Sequence, residues 1–135
     1  MKVIVDTNVL VSGIFFSGPP YEILSAWRYK RLQIVVSSAI VDEYQRVGKE
    51  LGERFQKIDI EPFMELLMIE GQLVNAPFLL GSVCEDPDDE KFIECAIASQ
   101  TKTIISGDKH LLKLSGYKGI EIIKPRLFVE KYLKN

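Results

Sequence analysis

Cysteine and histidine are scarce in this chain of 135 residues: two cysteines, Cys84 and Cys95, and one histidine, His110. The two thiols form no C-x-x-C pair and lack the density of a disulfide framework, which excludes a disulfide-stapled fold. Both are expected to be reduced, in a cytoplasmic setting, with Cys95 in the core. No uninterrupted apolar run reaches the roughly 18 to 20 residues that a membrane-spanning helix needs. The opening MKVIVDTNVLVSGIFF is apolar, but Asp6 and Asn8 interrupt it, Lys2 is its only basic flank, and no small-residue cleavage site comes after it. It is therefore not expected to act as a secretory signal. Nor does one sign of charge dominate. With 17 basic against 19 acidic residues and a net charge of -2, the chain is no polycation that grips nucleic acid by bulk charge. Any nucleic-acid partner has to be held locally.

The chain does have a hydrophobic content of 47% without internal repeats or low-complexity tracts, enough for one compact domain over residues 1–135. Val3 to Val5 read as a buried parallel strand, Ser17 to Pro20 as a break, and Tyr21 to about Arg31 as the first helix. Leu32 to Val36 form a second strand, with Ser37 or Ser38 capping a helix to about Leu51 that Gly52 stops. Pro62 to Glu70 look helical, Leu73 and Val74 start a short extended piece, and Pro77 and Gly81 punctuate the stretch up to Asp86. Asp86-Pro87 opens a helix to about Gln100. Thr103 to Ser106 form a strand, Lys109 to Leu114 a short helix, and Ile120 to Ile123 a last strand before a terminal helix after Pro125. Strands alternating with helices predict a three-layer α/β domain with a mostly parallel sheet.

Against that frame four acids stand out: Asp6, Glu43, Asp89 and Asp108. Three of them lie after apolar strand-like segments, and in open parallel sheets ligands bind beyond the strand ends. Helical phase separates these acids from their neighbours, because successive side chains turn by about 100°. Phe92, Ile93 and Ala96 mark the buried side of the helix after Asp86. Asp89, three residues before Phe92, falls in that sector, with Asp88 at its margin and Glu90 and Glu94 opposite. In the preceding helix Ile40, Tyr44, Val47 and Leu51 form the stripe that Glu43 flanks, while Asp42 points away.

Each acid also has a structural explanation. Asp86 before Pro87 is an N-cap with proline at the first helical position, and acids in that turn favour the helix dipole. Asp108 can cap the helix KHLLKL, Asp6 can form an Asx-turn, and Glu43 can pair with Arg46 or Lys49. Convergence of all four is harder to explain by structure alone. Two carboxylates about 4 Å apart repel by roughly 4 kcal/mol at an effective dielectric near 20, and a bound cation relieves this. Oxygen donors without Cys or His select a hard ion, so Mg²⁺ or Mn²⁺ is expected over Zn²⁺.

Taken together, DTNVLVS, the acid within SSAIVDEYQRV, DPDDEKFIECA and IISGDKHLL resemble the successive motifs of PIN-domain ribonucleases, and their order covers nearly the whole chain. Within that superfamily the chain looks most like small single-domain bacterial and archaeal proteins described as toxin components, relatives of the VapC toxins. The resemblance implies a sheet in the order 3-2-1-4-5, a pocket binding one or two Mg²⁺ or Mn²⁺ ions, and metal-dependent hydrolysis of single-stranded RNA leaving a 5′ phosphate. By motif match the metal-binding and catalytic acids are Asp6, Glu43, Asp89 and Asp108. Asp6 and Asp89 would be direct ligands, Asp108 would hold a second ion or its waters, and Glu43 would position or deprotonate the attacking water. Asn8 and Ser106 match supporting polar positions, Ser106 standing where the family more often has threonine. A cognate antitoxin protein and a homodimer are the implied partners, with RNA as substrate.

RNA contacts are expected from basic and aromatic residues near the pocket, and Trp27, Arg28, Tyr29, Lys30 and Arg31 form the densest such cluster. The alternative is a solvated helix end with a core Trp27. His110 is expected to face solvent. A phosphatase with an aspartyl nucleophile would want acids at positions 8 and near 112, where the chain has Asn8 and Leu112. The remaining alternative is a non-catalytic PIN-like module that binds RNA or protein and keeps the acids for folding.

Overall fold

The structure is a computed structural model and describes residues 1–55, 58–77 and 83–134. Strand β1 (Lys2–Val5) leads into helix α1 (Thr7–Phe15), and α2 (Pro19–Arg28) leads into β2 (Gln33–Val36). Helices α3 (Ser38–Arg54) and α4 (Glu61–Glu70) precede β3 (Gln72–Leu73). A 3₁₀ turn (Pro87–Asp89) opens α5 (Glu90–Ser99). Beyond it come β4 (Thr103–Ile105), α6 (Lys109–Leu112), β5 (Glu121–Ile123), α7 (Pro125–Phe128) and one π-helical turn (Val129–Leu133). All strand pairs are parallel and the sheet order is β3-β2-β1-β4-β5.

The strand order explains where a site can form. The chain moves outward from β1 to β2 to β3, then crosses back to β4 and continues to β5. Between β1 and β4 the direction reverses, which leaves a crevice beyond the carboxyl ends of those two strands. Val3, Ile4 and Val5 in β1 and Ile104 and Ile105 in β4 are fully buried, as strands covered on both faces must be. Cys84 and Cys95 are buried thiols, each pushed up to about 12, chiefly by that burial. Among the described residues no helix is long and apolar enough to cross a membrane.

Several elements differ from the sequence reading. Helix α1 was not expected, because Val9 and Val11 disguise a helical pattern that packing of Leu10 and Val9 into the core settles. Helix α2 begins at Pro19, inside the expected break, since proline lacks only an N–H that the first turn leaves unbonded anyway. Helix α3 runs through Gly52 to Arg54. Gly52 is buried against the Ile58 carbonyl oxygen, where any Cβ would clash, so it permits a close approach and does not stop the helix. The expected helix from Asp86 splits into the 3₁₀ turn and α5, with Asp86 capping the turn through Asp88 N at 3.0 Å. Gly81 lies outside the described residues.

Candidate functional site

Asp6 ends β1 and stands at the N-cap of α1, yet makes no side-chain cap bond, so its carboxylate is not consumed in closing the helix. Its amide bonds to Ile105 O at 2.9 Å, which fixes it against the end of β4. From that strand end the buried Ser106 hydroxyl donates to Asp6 Oδ2 at 2.6 Å. The same hydroxyl accepts from Asp108 N at 3.0 Å, so one serine sets the spacing of two acids. Asp108 Oδ1 accepts from His110 N at 2.9 Å, so it does cap α6, while interacting electrostatically with Asp6.

Asp89 arrives from the crossover helix. It is 8% exposed, whereas Asp88 beside it in the 3₁₀ turn is exposed. Among the described residues its Oδ2 has no hydrogen-bond partner. Burial pushes the Asp89 carboxyl up to about 7, and Asp108, Asp6 and Asp86 push the same way. Asp6 is also raised, foremost by burial and then by Asp108 and Glu43, against the Ser106 hydroxyl and the Thr7 amide, which favour its charge. The crevice thus holds Asp6, Asp89 and Asp108 as mutually repelling carboxyls.

Glu43 is in a different condition. Thr7 Oγ1 donates to its Oε2, Lys91 Nζ lies 2.6 Å from its Oε1, and Arg46 sits at 3.9 Å. Lys91 also donates to Asp88 O at 2.8 Å. Neither Thr7 nor Lys91 stands out in the sequence. Thr7 is inside the DTN segment, but Lys91 meets Glu43 only because α3 and α5 pack together, and no local pattern announces that. Tyr44, next to Glu43, is fully buried and donates its hydroxyl to Val5 O, beside Asp6; its own ionisation is pushed well up, chiefly by that burial. Glu90 also departs from expectation: its Oε1 accepts from Val83 N at 2.6 Å and Cys84 N at 2.7 Å, tying those two residues to the start of α5.

Other expected residues are placed elsewhere. Asn8 is exposed on the first turn of α1. Arg28, Lys30 and Arg31 are exposed, but they precede β2 and therefore lie at the amino ends of the strands, opposite the acids. There they line a cavity of about 440 Å³ with Trp27, which is 4% exposed and packs on Phe63. The basic cluster is thus not brought to the acidic crevice, and Trp27 belongs to the core. His110 is partly exposed and its Nδ1 pairs with Glu85 at 2.6 Å.

Can these residues hold a hard cation? Among the described residues, no three Asp, Glu, His or Cys side chains already converge at the spacing of a formed metal site. The donor chemistry nevertheless fits: among the described residues, a buried carboxylate oxygen without a partner and two further carboxyls, Asp108 and Asp6, whose charge acts on it. Mg²⁺ commonly keeps several waters and takes only one or two carboxylates, so a loose acidic crevice is compatible with it.

Residues 2–110 match the family model of the PIN domain, and this stretch contains all four acids and their partners. The chain belongs to the PIN-domain family. As a PIN domain it shows the parallel order 3-2-1-4-5 that the motifs implied. It is 29% identical over 149 aligned positions to the uncharacterized protein MJ1680 of Methanocaldococcus jannaschii, covering 99% of this chain and 93% of that protein. In fold it is similar to a chain of VapBC2 from Rickettsia felis, solved bound to a DNA fragment from its promoter. The TM-score is 0.52 at 14% identity, over 92% of this chain and 98% of that one.

Proposed function

We propose that this PIN domain is a divalent-metal-dependent ribonuclease that hydrolyses phosphodiester bonds of single-stranded RNA, acting as the toxin of a toxin–antitoxin pair. The observation that carries the reading is the buried Oδ2 of Asp89, without a partner among the described residues and set against Asp108 and Asp6 at the crossover of a parallel sheet. Asp6, Asp89 and Asp108 would hold Mg²⁺ or Mn²⁺, which when bound supplies an activated water and charge compensation at the phosphate.

The protein's own residues contribute orientation. Ser106 holds Asp6 and the Asp108 backbone in register. Glu43, fixed from both sides by Thr7 and Lys91, would orient the attacking water against phosphorus. Attack breaks the bond to the 3′ oxygen, which takes a proton and leaves, so the products carry a 3′ hydroxyl and a 5′ phosphate. Asn8, exposed beside Asp6 and Thr7, would meet the RNA. The VapBC2 likeness supports an antitoxin partner; a cytoplasmic setting and a homodimer complete the proposal.

One observation favours a second reading, a non-catalytic module that binds RNA or protein: Glu43 already carries a lysine and so has no need of an ion to stabilise it. Cleavage decides between them. A labelled single-stranded RNA panel is incubated with Mn²⁺, Mg²⁺ or EDTA and with wild type or Asp89→Asn purified identically. The nuclease cuts only with metal and only as wild type. Equal cutting by both proteins, or binding without cutting, removes the catalytic assignment.

A further inference from the structure

Glu43 and Asp89 both interact with Asp6, yet the structure treats them differently. Both oxygens of Glu43 have partners, Oε2 with Thr7 and Oε1 with Lys91, whereas Oδ2 of Asp89 has none among the described residues. The cation on Glu43 is no mobile surface lysine: the Lys91 side chain is 18% exposed and that of Glu43 14%. The ammonium is tied a second time, to the Asp88 carbonyl at 2.8 Å, in the turn that carries Asp89. It therefore bridges α3 and the Asp89 turn, which is the work a bridging ion does between carboxylates from two elements. An ion at Glu43 Oε1 would have to expel a largely buried ammonium from 2.6 Å, against like-charge repulsion.

We propose, building on the metal-dependent reading above, that the Lys91 ammonium takes the place of a second metal ion. The protein then binds one divalent cation, among Asp6, Asp89 and Asp108, while Glu43 is served by the chain itself. Of the three N–H donors of an ammonium, two are spent on Glu43 and Asp88, and the third would bring to a phosphate oxygen the positive charge a second ion would otherwise supply.

Metal stoichiometry tests this directly. Mn²⁺ is titrated calorimetrically into EDTA-stripped wild type, Lys91→Arg, Lys91→Met and the double variant Lys91→Met with Glu43→Gln, each checked by circular dichroism. Wild type and Lys91→Arg take up one ion per chain. Lys91→Met takes up two, and adding Glu43→Gln returns it to one, because the second ion requires the vacated carboxylate. Wild type binding two ions, or none, overturns the inference, as does a folded Lys91→Met that binds one ion like wild type. Should Lys91→Met fail to fold, the wild-type count from Mn²⁺ electron paramagnetic resonance still decides: one ion supports the inference and two overturn it. RNA cleavage measured on the same samples separates the two claims. Expected stoichiometries without cleavage would sink the nuclease reading alone, and cleavage by a two-ion wild type would sink the inference alone.

Discussion

Asp89→Asn should stabilise the metal-stripped protein, and the gain should grow with pH. In the folded protein the Asp89 carboxyl ionises near 7 in place of its ordinary 3.8. A carboxyl that holds its proton more tightly when folded contributes most stability below its unfolded value, and loses that contribution as pH rises toward the folded one. The window here is about pH 4 to 7. From pH 5 to pH 8 roughly two pH units of it remain, and at 1.36 kcal/mol per unit wild type loses about 2 to 3 kcal/mol that the uncharged asparagine keeps. For a domain of this size, about 3 to 5 °C accompanies each kcal/mol, so the melting-temperature gap between variant and wild type should widen by roughly 6 to 15 °C. The assay is thermal unfolding in EDTA at pH 5 and pH 8. A gap that does not change with pH would refute the reasoning, since Asp89 would then not be a charge held against burial and its neighbours.

Saturating Mn²⁺ should close much of that gap at pH 8: at a hundredfold excess over its dissociation constant an ion stabilises wild type by about 2.7 kcal/mol, and melting scans should show far less for Asp89→Asn. Ser106→Ala should cost about 1 to 3 kcal/mol in chemical denaturation, because it removes the donor to buried Asp6. The same variant should weaken Mn²⁺ binding by about 10- to 100-fold by calorimetry, as loss of a residue that orients metal-holding carboxylates does. Gly52→Ala should destabilise by about 1 to 3 kcal/mol, read as a lower denaturation midpoint, because the added methyl meets the Ile58 carbonyl. Replacing Arg28, Lys30 and Arg31 with serine should leave cleavage of a short RNA within about twofold of wild type, since these residues lie at the far end of the sheet, and a larger loss would place part of the RNA path there.

The legible parts of this fold are those set by short-range periodicity. Apolar runs marked β1, β2, β4 and β5 because strands covered on both faces cannot hide their composition. Phase read from the apolar residues of α5 and carried back into the turn before it distinguished Asp89 from Asp88, and phase on α3 distinguished Glu43 from Asp42, because a regular helix carries direction as well as composition. Where regularity ends, so does legibility. The 3₁₀ turn at Pro87–Asp89 brought Glu90 onto the Val83 and Cys84 amides instead of leaving it on the opposite side. Helix α1 was hidden by β-branched residues whose packing overrides their local preference. The Lys91–Glu43 pair joins residues 48 apart in sequence, and no local spacing encodes such a meeting. Density of basic residues drew attention to Arg28, Lys30 and Arg31, but density does not say which end of a sheet a segment occupies.

The most direct measurement is anomalous diffraction from crystals soaked in Mn²⁺, with and without a non-hydrolysable single-stranded RNA analogue. One peak per chain is predicted, beside Oδ2 of Asp89 and within reach of Asp6 and Asp108, with Lys91 still on Glu43. No peak in that crevice, or an ion seated on Glu43 with Lys91 displaced, would contradict the single-ion nuclease.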